Sequence, residues 1–237
     1  MPRTERPFPK ESSCRHAAES YSNDMTPNAW QWLWPVFFYL VGSVPTGYLL
    51  GKSRGLDIRR HGSGNIGATN VWRVMGRNWG LVAFASDFLK GFLPLYLLRT
   101  LSFPDGGSWT IALLLVVCGL AAIIGHNYTP WLGFKGGKGI ATSAGVMAAL
   151  MPPVLAVALA LWIIATLVTR TVSIGSLLAA IVLPPAAAWF YPGEWVYFGL
   201  ATLAGGLAVW RHRSNIQRLL AGTESRIEFG SKKKSDP

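Results

Sequence analysis

Seven long apolar runs are separated by short polar gaps along most of this chain, at about 30–51, 79–98, 109–126, 138–151, 153–169, 172–190 and 195–210. Most approach the ~20 residues that a membrane-spanning helix requires. The fourth is short, cut off by Pro152-Pro153, and predicts a tilted or half-length helix. The pattern predicts an all-α, polytopic membrane bundle of about seven transmembrane helices, with a five-span count as the alternative.

The polar gaps alternate in charge. Between the first two runs lie Lys52, Arg54, Arg59, Arg60, Arg73 and Arg77, opposed only by Asp57; the next gap (99–108) has Arg99 and Asp105. Lys135 and Lys138 flank the start of the fourth run, and Pro152-Pro153 carries no charge. Arg170 follows, then the acidic turn Tyr191–Glu194, then a tail with Arg211, Arg213, Arg218, Arg226 and Lys232–Lys234. Positive charge collects on the cytoplasmic side of membrane proteins, so the N-terminus is expected outside and the C-terminus in the cytoplasm.

Residues 1–28 mix both signs of charge and lack an apolar stretch before a small-residue cleavage site, which argues against a cleaved signal peptide. They read as a disordered polar head, and Met25 is an alternative start. The expected organisation is that head, a membrane catalytic domain over 30–222, and a basic cytoplasmic tail over 223–237.

Composition agrees with a membrane protein. Hydrophobic residues make up 51% and charged residues 14%, against about 25% charged in soluble domains. The net charge of +11, from 22 Lys and Arg against 11 Asp and Glu, would suggest nucleic acid in a soluble chain. Here the charges sit in loops and tail, so anionic lipid or anionic substrate is expected and nucleic acid is not. Cys14 and Cys118 lie too far apart in character and position to build a disulfide framework or a metal site.

The alternation also brings chemistry together. It puts Gly62–Arg73, His126–Lys138, Ser173/Ser176 and Arg211–Arg218 on one side, with the starts of the second, fourth and sixth helices. Helix N-termini carry free N–H groups and a positive dipole end, so this surface suits phosphate.

The stretch from Gly62 to Arg73 contains Ser63, Gly64, Asn65, Gly67, Thr69 and Asn70. Glycine-rich turns form anion-binding nests of N–H groups, and hydroxyls with a guanidinium complete a phosphate site. The letters satisfy G-x-G-x-x-G, but a dinucleotide fold needs a strand–helix–strand unit, which is absent here. A plain connecting loop is the other reading. Gly133–Gly139 invites a P-loop reading and fails it: Leu132 replaces the first glycine, and Gly139 stands where Ser or Thr belongs. What remains is a flexible backbone, with Gly136, Gly137 and Gly139 around the ammonium of Lys138 at a helix start.

Asp87 and Lys90 share a helix face and are either an intramembrane ion pair or part of a site. His126 and Asn127 close the third helix. His212 and Asn215 continue the seventh into the tail, where a protonated His212 would suit a helix C-terminus. Ser173 and Ser176 are either helix caps or phosphate donors. No H-x-x-x-x-D box, G-x-S-x-G elbow or metal cluster occurs, so a protein nucleophile is not evident and an activated substrate is expected.

Taken in order, these segments resemble the acyl-phosphate:glycerol-3-phosphate acyltransferase family of bacterial membranes. The resemblance rests on Gly42–Tyr48, Gly62–Asn70, Asp87–Gly91, Gly125–Tyr128, Phe134–Gly139 and Arg211–Arg213, and covers about residues 32–222. It implies a seven-helix enzyme of the bacterial inner membrane, with its active site at the cytoplasmic face. The enzyme would move an acyl group from acyl phosphate to the 1-hydroxyl of glycerol 3-phosphate, giving lysophosphatidic acid and phosphate. No metal or cofactor is implied; the soluble enzyme that makes acyl phosphate is the implied protein partner. By position in the motifs, Ser63, Arg73, Lys138 and His212 are the expected catalytic set. Gly62, Gly64, Asn65, Thr69, Asn70, His126, Asn127, Gly136, Gly137, Gly139, Ser173, Ser176 and Asn215 are the expected substrate-binding set. Ile216-Gln217 departs from the Ile-Asn expected there. The competing classes are a transporter or channel for a phosphorylated solute and a non-catalytic lipid-surface anchor.

Overall fold

The structure, a computed structural model, describes residues 28–102 and 109–227. Residues 1–27 of the head, Cys14 among them, and most of the tail lie outside the described residues. Ten α-helices follow one another among those described: α1 (Trp34–Ser43), α2 (Thr46–Lys52), α3 (Ala68–Met75), α4 (Arg77–Leu97), α5 (Trp109–Asn127), α6 (Ile140–Leu150), α7 (Pro152–Thr169), α8 (Val172–Phe190), α9 (Trp195–Arg211) and α10 (Arg213–Leu220).

Five segments are long and apolar enough to cross a membrane: Ala29–Lys52, Arg77–Ser102, Trp109–Leu132, Pro152–Thr169 and Val172–Phe190. Of the other two apolar runs, α6 has 11 residues and α9 has 17. Ile163, Ile164, Leu167 and Val168 on α7 and Leu81, Phe84, Leu89 and Leu93 on α4 all stand exposed. In water such faces would drive association; against lipid tails they cost nothing.

Helix pairs approach through glycine. A β-carbon on Gly42 would collide with the Ala122 carbonyl, and one on Gly125 with the Tyr39 carbonyl, so α1 and α5 touch backbone to backbone. Gly91 and Gly145 do the same for α4 and α6, against the carbonyls of Thr142 and Phe88. Small residues permit this contact where lipid supplies no hydrophobic drive between helices. Phe38, Leu114, Ile123, Met147 and Leu200 fill the core between α1, α5, α6 and α9.

The first apolar run is not one continuous helix. Pro45 has no N–H to continue it, and the chain breaks between Ser43 and Thr46. Lys90 Nζ donates to the Val44 carbonyl at 2.9 Å and lies 2.8 Å from Asp87 Oδ1. Thr129 Oγ1 donates to the Ser43 carbonyl at 2.6 Å. Asp87 and Lys90 therefore form an intramembrane ion pair that also satisfies a broken helix, the condition for irregular backbone at depth.

Candidate functional site

The break at Pro45 leads into α2 and then a loop held against it by a small satellite core of Ile58, Ile66, Val71 and Ala83. Gly62 (φ 59°) and Gly64 (φ 70°) take left-handed conformations that few side chains tolerate. The buried amide of Asn70 organises the loop. Its Nδ2 donates to the carbonyls of Asn65 at 2.9 Å and His61 at 3.1 Å, and its Oδ1 accepts from the Ser63 N–H at 2.8 Å. Asn65 Oδ1 likewise accepts from the Gly67 N–H at 2.8 Å. These two asparagines spend their side chains on the fold and leave the Ser63 hydroxyl at the surface. Thr69 and Arg73 are exposed on α3.

The loop from Gly133 to Gly139 is pinned on both sides. Gly136 N–H donates to the Asn127 carbonyl and Gly137 N–H to the His126 carbonyl, both at 3.1 Å. Arg211 donates from Nε to the Gly137 carbonyl at 3.0 Å and from Nη2 to the Gly136 carbonyl at 2.9 Å. The two glycines thus have no free N–H for an anion, although the resemblance places them in the substrate-binding set. His126 and Asn127 are buried beneath them: the His126 ring abuts Gly137 and lies 3.6 Å from Asp87. Both side chains lie beneath the turn rather than on its open surface. Gly139 caps α6 at φ 81° with the Asn127 amide against it.

Lys138 emerges from this turn and donates to Asn215 Oδ1. Asn215 Nδ2 donates in turn to Glu224 Oε1 at 2.6 Å, which also accepts from Ser173 Oγ at 2.9 Å; Arg218 Nε reaches Glu224 Oε2 at 2.6 Å. Burial opposes ionisation of Glu224, but these three donors outweigh it and hold the carboxyl below its ordinary range. Burial, aided by the guanidinium groups of Arg218, Arg73 and Arg211, pushes the Lys138 ammonium down to about 8 against the pull of Glu224.

The seventh apolar helix does not run on through His212. It ends at Arg211, His212 sits at φ −92°, ψ 6°, and α10 starts afresh. His212 Nδ1 lies 2.8 Å from the Ala208 carbonyl, so Nδ1–H donates there and Nε2 keeps its lone pair. Burial, then the Lys138 ammonium, pushes His212 down to about 4. That shift favours the neutral ring over the protonated form that would suit a helix C-terminus. Ser173 and Ser176 are not caps: Thr171 holds the N-cap position of α8, and Ser176 Oγ is 3.2 Å from its donor, Trp162 Nε1.

Ser63, Gly64, Asn65, Lys138, Ser214 and Arg218 line one cleft of about 110 Å³. It draws on three of the four stretches that the charge pattern assigned to one side, and Ser173 joins through Glu224. Ser214 and Glu224 did not emerge from the sequence, and Arg211 and Arg218 did so only as the ends of a basic stretch, not as site residues. Ser214 and Arg218 have a signal in hindsight, being i and i+4 on a short polar helix. Nothing in the local pattern marks Glu224. Residues 223–227 fold back over this end, with Ile227 N–H donating to the Arg170 carbonyl at 2.7 Å. Among the described residues, no three His, Cys, Asp or Glu side chains gather as metal ligands.

A family model described as "Glycerol-3-phosphate acyltransferase" matches residues 32–222. A glycerol-3-phosphate acyltransferase of Thermosynechococcus vestitus is 44% identical over 194 residues, covering 80% of this chain and 91% of that protein. One of Desulforudis audaxviator is 48% identical over 193 residues, covering 81% and 92%. The fold is similar to the crystal structure of PlsY, an integral membrane glycerol 3-phosphate acyltransferase, in its glycerol 3-phosphate form. That match has a TM-score of 0.75 and 40% identity, over 84% of this chain and 96% of PlsY.

Proposed function

The chain belongs to the glycerol-3-phosphate acyltransferase family, and from that premise we propose that acyl phosphate is its donor and the 1-hydroxyl of glycerol 3-phosphate its acceptor. It is an acyltransferase of a multi-pass membrane family, and lysophosphatidic acid is the product. The observation that carries the donor assignment is the cleft, where hydroxyl, amide and two cations meet at the polar end of an apolar bundle. Both proposed substrates carry a phosphate, and the donor adds a long apolar tail that such an end can leave among helices.

The reaction needs no acyl-enzyme, because a mixed acyl-phosphoric anhydride is already activated. The acceptor hydroxyl oxygen attacks the carbonyl carbon and the bond from that carbon to the phosphate oxygen breaks. Phosphate leaves with the bonding pair and takes the hydroxyl proton. Lys138, Arg73 and the Ser63 hydroxyl hold phosphate oxygens and stabilise the departing charge. The Nε2 lone pair of neutral His212 orients the acceptor hydroxyl. Asn215 and Ser173 support these groups, and proximity supplies much of the rate.

The same proposal includes a seven-crossing path, with the N-terminus outside and the cleft facing the cytoplasm of a bacterial inner membrane. Two features support it. Arg99, beyond the far end of α4, donates to the Ala149 carbonyl at 2.7 Å, so α6 runs from the cleft end to the opposite end despite its 11 residues. Arg73, Arg211 and Arg218 surround Lys138 at the cleft, and Arg54, Arg59, Arg60 and Arg213 lie in the same polar stretches of the chain, as expected of a cytoplasmic face. The catalytic unit is 30–222, with the head and the basic tail as appendages. The soluble enzyme that makes acyl phosphate is the proposed protein partner.

Purified protein in detergent, given acyl phosphate and labelled glycerol 3-phosphate, should release phosphate and labelled lysophosphatidic acid in equal amounts. Turnover with acyl-CoA but not acyl phosphate would reject the donor. Failure with every donor, together with labelled-solute uptake by vesicles, would favour a transporter.

A further inference from the structure

The half-buried Arg211 guanidinium is held by an aromatic ring on one side and by two backbone carbonyls on another. Its guanidinium lies over the Tyr128 ring at 5.2 Å, and the Tyr128 carbonyl is itself held by Tyr39 Oη at 2.8 Å. From that seat it forks onto two successive carbonyls, those of Gly136 and Gly137. The N–H groups of the same two glycines are tied to α5. A turn fixed through both its donors and both its acceptors has no freedom left, and the next residue is Lys138. On the same side, Asn215 follows Arg211 by four positions and accepts from the Lys138 ammonium.

We infer that Arg211 is the positioning residue for Lys138: it locks the Gly136–Gly137 turn by its carbonyls and thereby aims the ammonium at the cleft, without touching substrate itself. Only the planar fork can serve, because two carbonyls one residue apart need two donors at fixed spacing; a lysine ammonium on a flexible stem does not pre-set that geometry. The glycines are required in turn. A β-carbon on Gly136 would strike the His126 carbonyl, and one on Gly137 the His126 ring. The loop is thus a clamped strut for one lysine rather than a nest of N–H groups.

The inference rests on the acyltransferase reading, and the test separates the two. Parent, Arg211→Lys, Lys138→Ala and the double variant are purified full-length in detergent. Each is assayed for turnover and titrated calorimetrically with inorganic phosphate, the chemistry common to both substrates. Arg211→Lys is expected to lower kcat/KM roughly ten-fold and to weaken phosphate binding by a similar factor. In the Lys138→Ala background the same change should cost less than about two-fold, because the residue it positions is gone.

A second readout is one that a purely structural role would not move. Lys138 is surrounded by Arg218, Arg73, Arg211 and Glu224. Arg211→Lys keeps the charge count but frees the ammonium into water, so the alkaline fall of kcat/KM should move to higher pH. Additive losses, an unmoved alkaline limb, or parental efficiency in Arg211→Lys would each overturn the inference. So would failure of both Arg211→Lys and Arg211→Gln to insert and fold, since a clamp on one turn is not needed to assemble the bundle. An inactive parent would reject the acyltransferase reading instead, and the phosphate titrations would still decide the role of Arg211.

Discussion

The Lys138 ammonium donates a hydrogen bond to the side-chain oxygen of Asn215, a residue 77 positions away on α10. The partner is neutral, so the contact orients the cation without cancelling its charge. Burial dominates its titration, and the ammonium is charged below about 8 and neutral above.

The sign of the pH effect follows. As pH rises through about 8, the free enzyme loses the cation that attracts phosphate, so kcat/KM falls. Bound phosphate stabilises the charged form, so the corresponding fall in kcat lies at higher pH. Steady-state rates across this range check both limbs. An efficiency that stays level well above that value would show that the Lys138 charge is not used.

Arg73 and Lys138 are expected to act on phosphate for different reasons, which substitutions separate. Arg73→Lys keeps the charge and loses the fork; Lys138→Ala loses the charge. Charge-assisted hydrogen bonds contribute about 1.5–3 kcal/mol, so each change should lower kcat/KM roughly ten- to a hundred-fold. Lys138→Arg should fail as well, by crowding between Gly137 and Gly139. Arg99→Lys, at the opposite end of α4, is the control and should retain the parental efficiency. Parental rates in Arg73→Lys and Lys138→Ala, measured on folded protein, would reject the proposed phosphate site.

The buried pair of Asp87 and Lys90 predicts a stability effect apart from the chemistry. Lys90→Met strands the Asp87 carboxylate and the Val44 carbonyl in the bundle. Removing one partner of a buried ion pair costs about 3–5 kcal/mol. Asp87→Leu with Lys90→Met leaves no unpaired charge and should recover part of the loss. Thermal unfolding in detergent measures both; a double variant less stable than Lys90→Met would contradict the pairing argument.

Membrane orientation is tested by cysteine labelling in intact cells. Single cysteines at Ser63 and Ser225 are expected to react only with reagents that reach the cytoplasm. A cysteine at Gly193 should react from outside. External labelling of Ser63→Cys would invert the proposed orientation.

Much of this was legible in the sequence because it depends on local composition. Apolar length and the alternation of charged gaps were enough to expect a polytopic bundle with Ser63, Lys138, Ser173 and Asn215 at one end. Even the break at Pro45 rests on a local fact, a missing N–H. Its consequence, the bond from Lys90 to the Val44 carbonyl, depends on how α4 packs and was not legible.

What tertiary structure alone decided is which polar groups remain free. Asn70, Gly136 and Gly137 have the residue types of a phosphate site, yet the folded chain spends the Asn70 amide and the two glycine N–H groups on internal hydrogen bonds. Glu224 has no local signal, yet three donors from two helices converge on it. Sequence determines which groups can donate or accept and which segments leave water. A hydrogen-bonding group serves one partner or another, and that choice depends on groups far away in the chain. The partners are fixed only when glycine-lined helices close to backbone contact and bring the loops together.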